Sequence, residues 1–323
     1  MGELFGRRAR ITVGVPGEGA KVFDSGIPPA RGLRVAFSIP KSLKSSLNEA
    51  TVQVWNLSDS SRNRIRDDRS LFLVEAGYQS PNSPRSDQDI YRLFKGQVTN
   101  TFTERRGPSR VTTIECLDGF DAVQESELQL DLGGGEFQSI SFAKGTAIRS
   151  VIRLFANQLT LGDDVAFGDI DIAIDLIVAG AERRGQPITL KRKLIVDGRA
   201  ADWLDRFGRQ YRFDWSIQDG VLELHLWDEV WVGDEITVAK ETILGQPSQN
   251  PRSTMIDGVV SVVDGVRFRA LLQPKVRPGA IVTLESDIVP GRYRVENAVY
   301  RGDSDGGPWE VEAEAFVIPG ITT

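Results

Sequence analysis

A few short constellations in the 323-residue chain hold the residue types that perform chemistry. The run Gly302-Asp303-Ser304-Asp305-Gly306-Gly307 sets a serine among glycines and aspartates, as a protease nucleophile loop does. Asp305 interrupts the spacing that would align a nucleophile with oxyanion amides, and a hairpin turn explains the run better. A serine nucleophile also needs a general base, and His225 is the single histidine. If residues 213–226 form a hairpin, Asp214, Glu223 and His225 lie together, either as part of a metal site or as an ordinary cross-strand polar cluster. Asp303 and Asp305 lack the spaced ligands and terminal glutamate of an EF-hand loop. Gly133-Gly134-Gly135 precedes a helical pattern without the Gly-Lys-Ser/Thr of a Walker loop, so a flexible link is the simpler role. Among the many carboxylates no pair stands out as the acid and base of a glycosidase. The expectation is a non-enzymatic chain with no cofactor and no metal.

Two charged patterns remain. Arg62, Arg64, Arg66 and Arg69 follow Asn56-Leu57-Ser58-Asp59, which reads as the start of a short capped helix. They form either a solvated basic face or a dock for an acidic neighbour. Glu310, Glu312 and Glu314 alternate with Val311, Ala313 and Ala315, which puts three carboxylates on one strand face and the apolar residues on the other. With residue 301 opposite 309, Glu296 faces Glu314, Ala298 faces Glu312 and Tyr300 faces Glu310. The like-charged pair costs a few tenths to about 1 kcal/mol unless it is solvated or met by a basic neighbour. The carboxylate face is either an outer surface in water or a channel lining whose negative charge repels DNA phosphates, so that a genome passes without specific binding.

The bulk properties suit a structural role. A net charge of −6 argues against a protein whose main task is gripping phosphates. The single cysteine, Cys116, excludes an intrachain disulfide and suits a reducing cytoplasm; its place is the apolar interior of a strand. The first eight residues lack the apolar core of a signal peptide, and the apolar stretch 170–181 contains Asp171 and Asp175, so neither export nor membrane insertion is expected.

Elements that would position these groups follow from periodicity. Residues 1 to about 130 read as strands and turns, with Val35, Phe37 and Ile39 on one face and a hairpin turning at residues 105–109. From 131 to 235 the pattern is α+β. Ile148, Val151, Ile152, Phe155 and Leu159 make one helical stripe, and Ala200, Trp203, Leu204 and Phe207 make another behind a cap at Asp197. Asp219-Gly220 is a two-residue hairpin turn, which pairs Phe213 with Leu226, Trp215 with Leu224 and Ile217 with Leu222. From 236 to 323 strands return. Both β regions carry a Val-x-Asn strand followed by Gly-Pro, at Val98, Asn100 and Gly107-Pro108, and at Val295, Asn297 and Gly307-Pro308, a repeat signal that leaves duplication open.

Read in order, these residues resemble a known family. Leu33 to Pro40, then Glu49 to Ser58 with its Asn-Leu-Ser end, then Leu71 to Tyr78, Phe94 to Val98 and the Arg-Gly-Pro hairpin resemble the first barrel of baseplate hub proteins from tailed phages. Leu271 to Gly279, Gly291 to Val295, Gly302-Asp303 and Trp309 to Val311 look like the second. The chain is similar in kind to late control proteins and to the N-terminal part of type VI secretion spike proteins, though the middle region departs in detail. The resemblance implies a β-rich α+β fold, with tube-like antiparallel barrels at 1–130 and 236–323 flanking the middle region. It also implies a homotrimer in the virion tail baseplate, made and assembled in the host cytoplasm. There it would join a six-fold tail tube or distal tail protein to a trimeric spike, with a tape-measure protein as a further neighbour. Two rivals stay open: a carbohydrate-binding or glycan-cleaving tail component using Trp55, Trp227 and Trp231, and a distal tail or adaptor ring protein.

Overall fold

Alternating apolar residues dictate most of this structure, because a strand turns successive side chains to opposite faces. A computed structural model of the chain describes residues 6–14, 19–26, 32–45, 47–65, 70–78, 90–131, 137–160, 166–227, 235–256 and 259–317. The elements begin with β1 (Arg7–Gly14), β2 (Ala20–Asp24), β3 (Val35–Ser42), β4 (Glu49–Trp55), α1 (Asp59–Ile65), β5 (Leu71–Tyr78), β6 (Ile90–Arg106) and β7 (Ser109–Leu117). Next come α2 (Phe120–Gln124), β8 (Gln129–Asp131), β9 (Phe137–Phe142), α3 (Ile148–Leu159), β10 (Ala166–Phe167), α4 (Ile170–Arg183), β11 (Leu194–Val196), α5 (Ala200–Tyr211), β12 (Phe213–Gln218) and β13 (Val221–Leu226). The rest is β14 (Glu235–Val238), a 3-10 turn (Lys240–Thr242), β15 (Ser248–Gln249), β16 (Arg252–Ile256), β17 (Val259–Val263), β18 (Gly265–Leu271), β19 (Ile281–Leu284), β20 (Gly291–Asp303) and β21 (Trp309–Phe316). The fold is β-rich α+β.

Two compact units divide the chain: one holds Met1–Ser42, Asn48–Asp118 and Val232–Thr323, the other Leu43–Leu47 and Gly119–Trp231. In the first, a 13-stranded, mostly antiparallel sheet follows the order β15-β18-β21-β20-β3-β4-β7-β6-β5-β1-β2, with β19 on β20 and β14 on β19. The two β regions expected at 1–130 and 236–323 thus share one sheet, joined where Ala36–Ser42 of β3 pairs antiparallel with Asn297–Asp303 of β20. They also share one core, in which Ile39, Val52, Phe72 and Ile114 belong to the same cluster as Phe268, Val282, Tyr300 and Val311. Val35, Phe37 and Ile39 are buried as their alternation requires. Cys116 is buried in β7, and burial pushes its thiol well above the ordinary range.

The two regions repeat one another strand for strand. The order β4-β7-β6-β5 matches β18-β21-β20-β19. Each repeat carries a bulge at the same place, between Val98 and Asn100 in β6 and between Val295 and Asn297 in β20. A bulge adds one residue to one strand and bends it. Beyond each bulge an asparagine amide donates across the ladder to a glutamate, Asn100 to Glu115 and Asn297 to Glu314, both at 3.0 Å. Before each bulge a buried valine faces a small residue, Val98 opposite Cys116 and Val295 opposite Ala315. In the second repeat the segment after β14 and the 3-10 turn reaches back to β18. There Ile243 bridges Ala270, and the Leu244 N–H donates to the Arg269 carbonyl at 2.7 Å.

The second unit packs α3, α4 and α5 around the β12–β13 hairpin. Its register is the expected one, with Phe213 opposite Leu226, Trp215 opposite Leu224 and Ile217 opposite Leu222, and all six are buried. Asp219 and Gly220 have φ of 58° and 76°, as a two-residue primed turn needs. Phe155 of α3 meets Phe207 edge-on and stacks on Trp203, with ring centroids 5.4 and 5.9 Å away. Two readings change here. Asp197 does not cap α5; Arg199 holds the cap position with no side-chain bond, and the Asp197 carbonyl accepts the Trp203 indole N–H at 2.7 Å. The apolar stretch from residue 170 is the helix α4, whose buried Ile170, Ala173, Ile174, Ile177 and Ala181 keep helical spacing. Among the described residues no helix is long and apolar enough to cross a membrane.

The β3–β20 junction makes a specific demand. Gly302 pairs with Phe37, and a Cβ on Gly302 would fall 2.2 Å from the Phe37 ring, which is itself packed edge-on against Trp309 at 5.5 Å. Gly302→Ala should therefore destabilise the first unit by about 1–3 kcal/mol, the usual cost of overpacking. Urea unfolding followed by tryptophan fluorescence would show a lowered midpoint, and an unchanged midpoint would refute the packing argument.

Candidate functional site

The residues singled out for chemistry are bound into structure. In the turn from Gly302 to Pro308, Arg34 holds the Asp303 carboxylate with two bonds, at 3.1 and 2.7 Å, and the Asp305 N–H donates to the same carboxylate at 3.0 Å. Ser304 Oγ accepts the Val35 N–H at 3.0 Å, so it fixes the end of β3. Arg7 Nη1 donates to the Gly307 carbonyl at 2.8 Å. His225 lies opposite Asp214, as expected. Its Nε2 is 3.3 Å from a Glu223 carboxylate oxygen, within ion-pair reach but without hydrogen-bond geometry. Among the described residues no group of three or more His, Cys, Asp or Glu is arranged to hold a metal ion.

Other candidates change on inspection. The helix α1 forms where Asn56-Leu57-Ser58-Asp59 called for it, with Ser58 Oγ accepting the Ser61 N–H at 3.3 Å. Arg62 is not part of a solvated face: it pairs with Asp59 and donates to the Leu57 carbonyl at 3.1 Å. The Arg64 side chain, Arg66, Arg69, Gly133-Gly134-Gly135 and Trp231 lie outside the described residues. Trp55 is no open platform, since the Arg34 guanidinium stacks 4.4 Å over its ring. Trp227 is 37% exposed. A groove of about 330 Å³ in the second unit was not anticipated: Trp203, Phe207 and Tyr211 form its floor, Lys191 and Arg192 its rim, and Arg206 lies 4.3 Å over Trp203.

The acidic strand differs most from expectation. Arg301 pairs with Glu310, Val299 with Glu312 and Asn297 with Glu314, one residue away from the expected register over this stretch. The turn closes with Gly302, not Arg301, opposite Trp309, which offsets every pair up to the bulge; there Glu296 is the extra residue and leaves the ladder, so the like-charged Glu296–Glu314 pair does not form and the expected register returns at Arg294 opposite Phe316. Instead Glu296 pairs with Arg252.

The three carboxylates are also not bare. On the neighbouring β18, Arg267 faces Glu314 and Arg269 faces Glu312. Glu312 accepts from Arg301 Nη1 and Arg267 Nε, both at 2.7 Å, and Glu310 lies 3.8 Å from Arg269. Three arginines and three glutamates thus interleave on one face, so a lining that repels DNA by net negative charge is not what this strand presents. Arg267 and Arg269 were missed because they sit on a strand reached only through tertiary pairing. Their own alternation, Arg267-x-Arg269, was the available signal.

No protein-family model matches the chain, and no curated protein matches it. Among solved structures it is similar to the 43 kDa tail protein of prophage MuSo2 from Shewanella oneidensis, at 9% identity and TM-score 0.56, over 96% of this chain and 97% of that one. It is also similar to the tail protein from Neisseria meningitidis MC58, at 9% identity and TM-score 0.54, over 97% of each chain. A third is the E. coli c3393 protein, a component of the type VI secretion system with structural similarity to the T4 bacteriophage tail proteins gp27 and gp5. That match has 8% identity and TM-score 0.52, over 91% of this chain and 76% of that one. The chain therefore has the fold that its resemblance implied.

The ladder predicts a pH dependence. The Arg301 hydrogen bond, with help from Arg267, holds the Glu312 carboxyl below its ordinary value of 4.5. A carboxyl depressed on folding contributes stability above its unfolded value, and that contribution is lost as pH falls through the folded value. Glu312→Gln should thus be less stable than the wild type at neutral pH, with the gap closing below about pH 4.5. Urea midpoints measured from pH 7 to 3 would test this; a constant gap would overturn it.

Proposed function

We propose that the chain is a structural subunit of a phage tail baseplate, a hub protein that joins a six-fold tail tube to a trimeric central spike. The observation that carries this reading is the duplicated strand unit within one chain. A homotrimer of a two-repeat chain offers six similar units on one side while remaining three-fold overall, which is what a junction between six-fold and three-fold parts needs. Each repeat then acts as one tube-like barrel, and the helical unit is a separate module. The tail-protein fold supports the reading, and so does the use of the candidate chemical groups as structural ties.

In this arrangement one end of the ring meets the tail tube or a distal tail protein, and the other holds the spike. A tape-measure protein and the genome pass through without specific binding. The face bearing Glu310, Glu312 and Glu314 turns toward the channel. Its interleaved arginines balance the charge, so DNA meets a surface that neither grips nor repels strongly. The working location is the virion tail, after assembly in the host cytoplasm.

Light scattering on the purified full chain should give the mass of three copies of the 35.6 kDa protein. A reconstruction of the particle should show one such ring between tube and spike, with the Glu312 face inward. A stable monomer in the particle, or carboxylates pointing outward from the ring, would overturn the reading.

A further inference from the structure

Within the first unit, the internal repeat matches two of the sheet edges that no described strand covers to a junction made inside the chain. The C-terminal half of β6, from Asn100 to Arg106, pairs with β7 on one side and with no described strand on the other. Its side chains are mostly exposed, Phe102 at 43%. The equivalent half of β20, from Asn297 to Asp303, is sandwiched between β21 and β3, and its residues alternate between buried and half-buried. At one end of the path, β15 pairs among the described strands with β18 alone, and Ser248 and Gln249 are exposed.

The repeat matches these two edges to the junction already made inside the chain. Glu115 of β7 corresponds to Glu314 of β21, each bonded to its bulge asparagine. Opposite them lie Thr51 of β4 and Arg267 of β18, so these correspond. Opposite those lie Ser38 of β3 and Ser248 of β15. Inside the chain, Ser38 pairs with Arg301, four residues past Asn297. The residue four past Asn100 is Glu104.

We propose that the open edge of β6 in one copy pairs antiparallel with the β15 edge of a second copy, with Glu104 opposite Ser248 and Phe102 opposite Asn250, repeating between chains the β3–β20 junction within the chain. The proposal rests on the trimeric reading and deepens it by naming the strands that join the copies. Each copy offers one β6 edge and one β15 edge, so the contact is heterologous and continues until a ring closes. Unpaired strand edges are templates for pairing, and each edge covered here removes a row of exposed N–H and C=O groups. Glu104, Arg105 and Arg106 put charge along the β6 edge, and charged side chains are the usual guard against indiscriminate edge pairing.

The test is disulfide trapping in the full chain. Cys116 is buried at 1% exposure and does not compete. Glu104→Cys/Ser248→Cys should, on oxidation, convert most of the protein into covalently linked multimers up to three chains on a non-reducing gel. Phe102→Cys/Asn250→Cys lies in the same register and should do the same, so one badly folding variant does not decide the matter. The slipped pair Phe102→Cys/Ser248→Cys should link at least several-fold less. If the wild type has trimer mass but neither matched pair links, or the slipped pair links equally well, the edge proposal is wrong while the trimeric reading stands. If the wild type is a monomer at every concentration and neither matched pair links, both fall.

Discussion

The pairing of β3 with β20 is the contact on which the rest of the first unit depends. It brings residues 36–42 against 297–303, nearly the two ends of the described chain, and so joins two β regions into one sheet and one core. Closing so large a loop costs entropy before any contact returns it, although that cost grows slowly with length. The junction is correspondingly tight: Gly302 lies under the Phe37 ring, Arg34 clamps Asp303, and Ser304 takes the first amide of β3. Strand pairing of such high sequence separation also makes for slow folding.

Local features of this architecture are legible in the sequence, and nonlocal ones are not. The β12–β13 hairpin can be read to the residue because its two-residue turn sets the register. The helices α3 and α5 follow from their apolar stripes, whereas α4 is hidden by an apolar content that looks like a run instead of a stripe. In β20–β21 the alternation gives the correct face for Glu310, Glu312 and Glu314, but not their partners. The turn closes one residue later than expected, which offsets the pairs from Gly302 to Asn297, and the bulge at Glu296, which carries no reliable mark in one strand, absorbs that offset. The β3–β20 pairing is invisible from either strand alone, because alternation tells which side of a sheet a residue faces and not which strand lies beside it.

The charged ladder on β18, β21 and β20 is better understood as a device for register than for stability. Exposed ion pairs contribute about 0–1 kcal/mol each, too little to hold a sheet whose core contains Phe268, Tyr300 and Val311. A slip of one residue would instead turn the carboxylates into that core, at a cost of several kcal/mol for each unpaired charge. The arginines on two flanking strands leave Glu312 satisfied from both sides in a single alignment.

The two repeats differ in a way that separates what geometry requires from what position requires. Both keep the buried valine, the bulge and the Asn–Glu bond, which together set how the hairpin bends away from its neighbour. The ladder is not kept. Where the second repeat has Arg267 and Arg269 on β18, the first has Thr51 and Gln53 on β4; where β21 has Glu310 and Glu312, β7 has Val111 and Thr113. The same backbone frame therefore presents a charged face in one repeat and a mostly neutral one in the other. Identical repeats would make six equivalent surfaces and leave a three-fold partner no way to choose among them. In the proposed trimer, divergent faces on a shared frame would let neighbours that need six similar seats and neighbours that need three distinct ones bind the same chain.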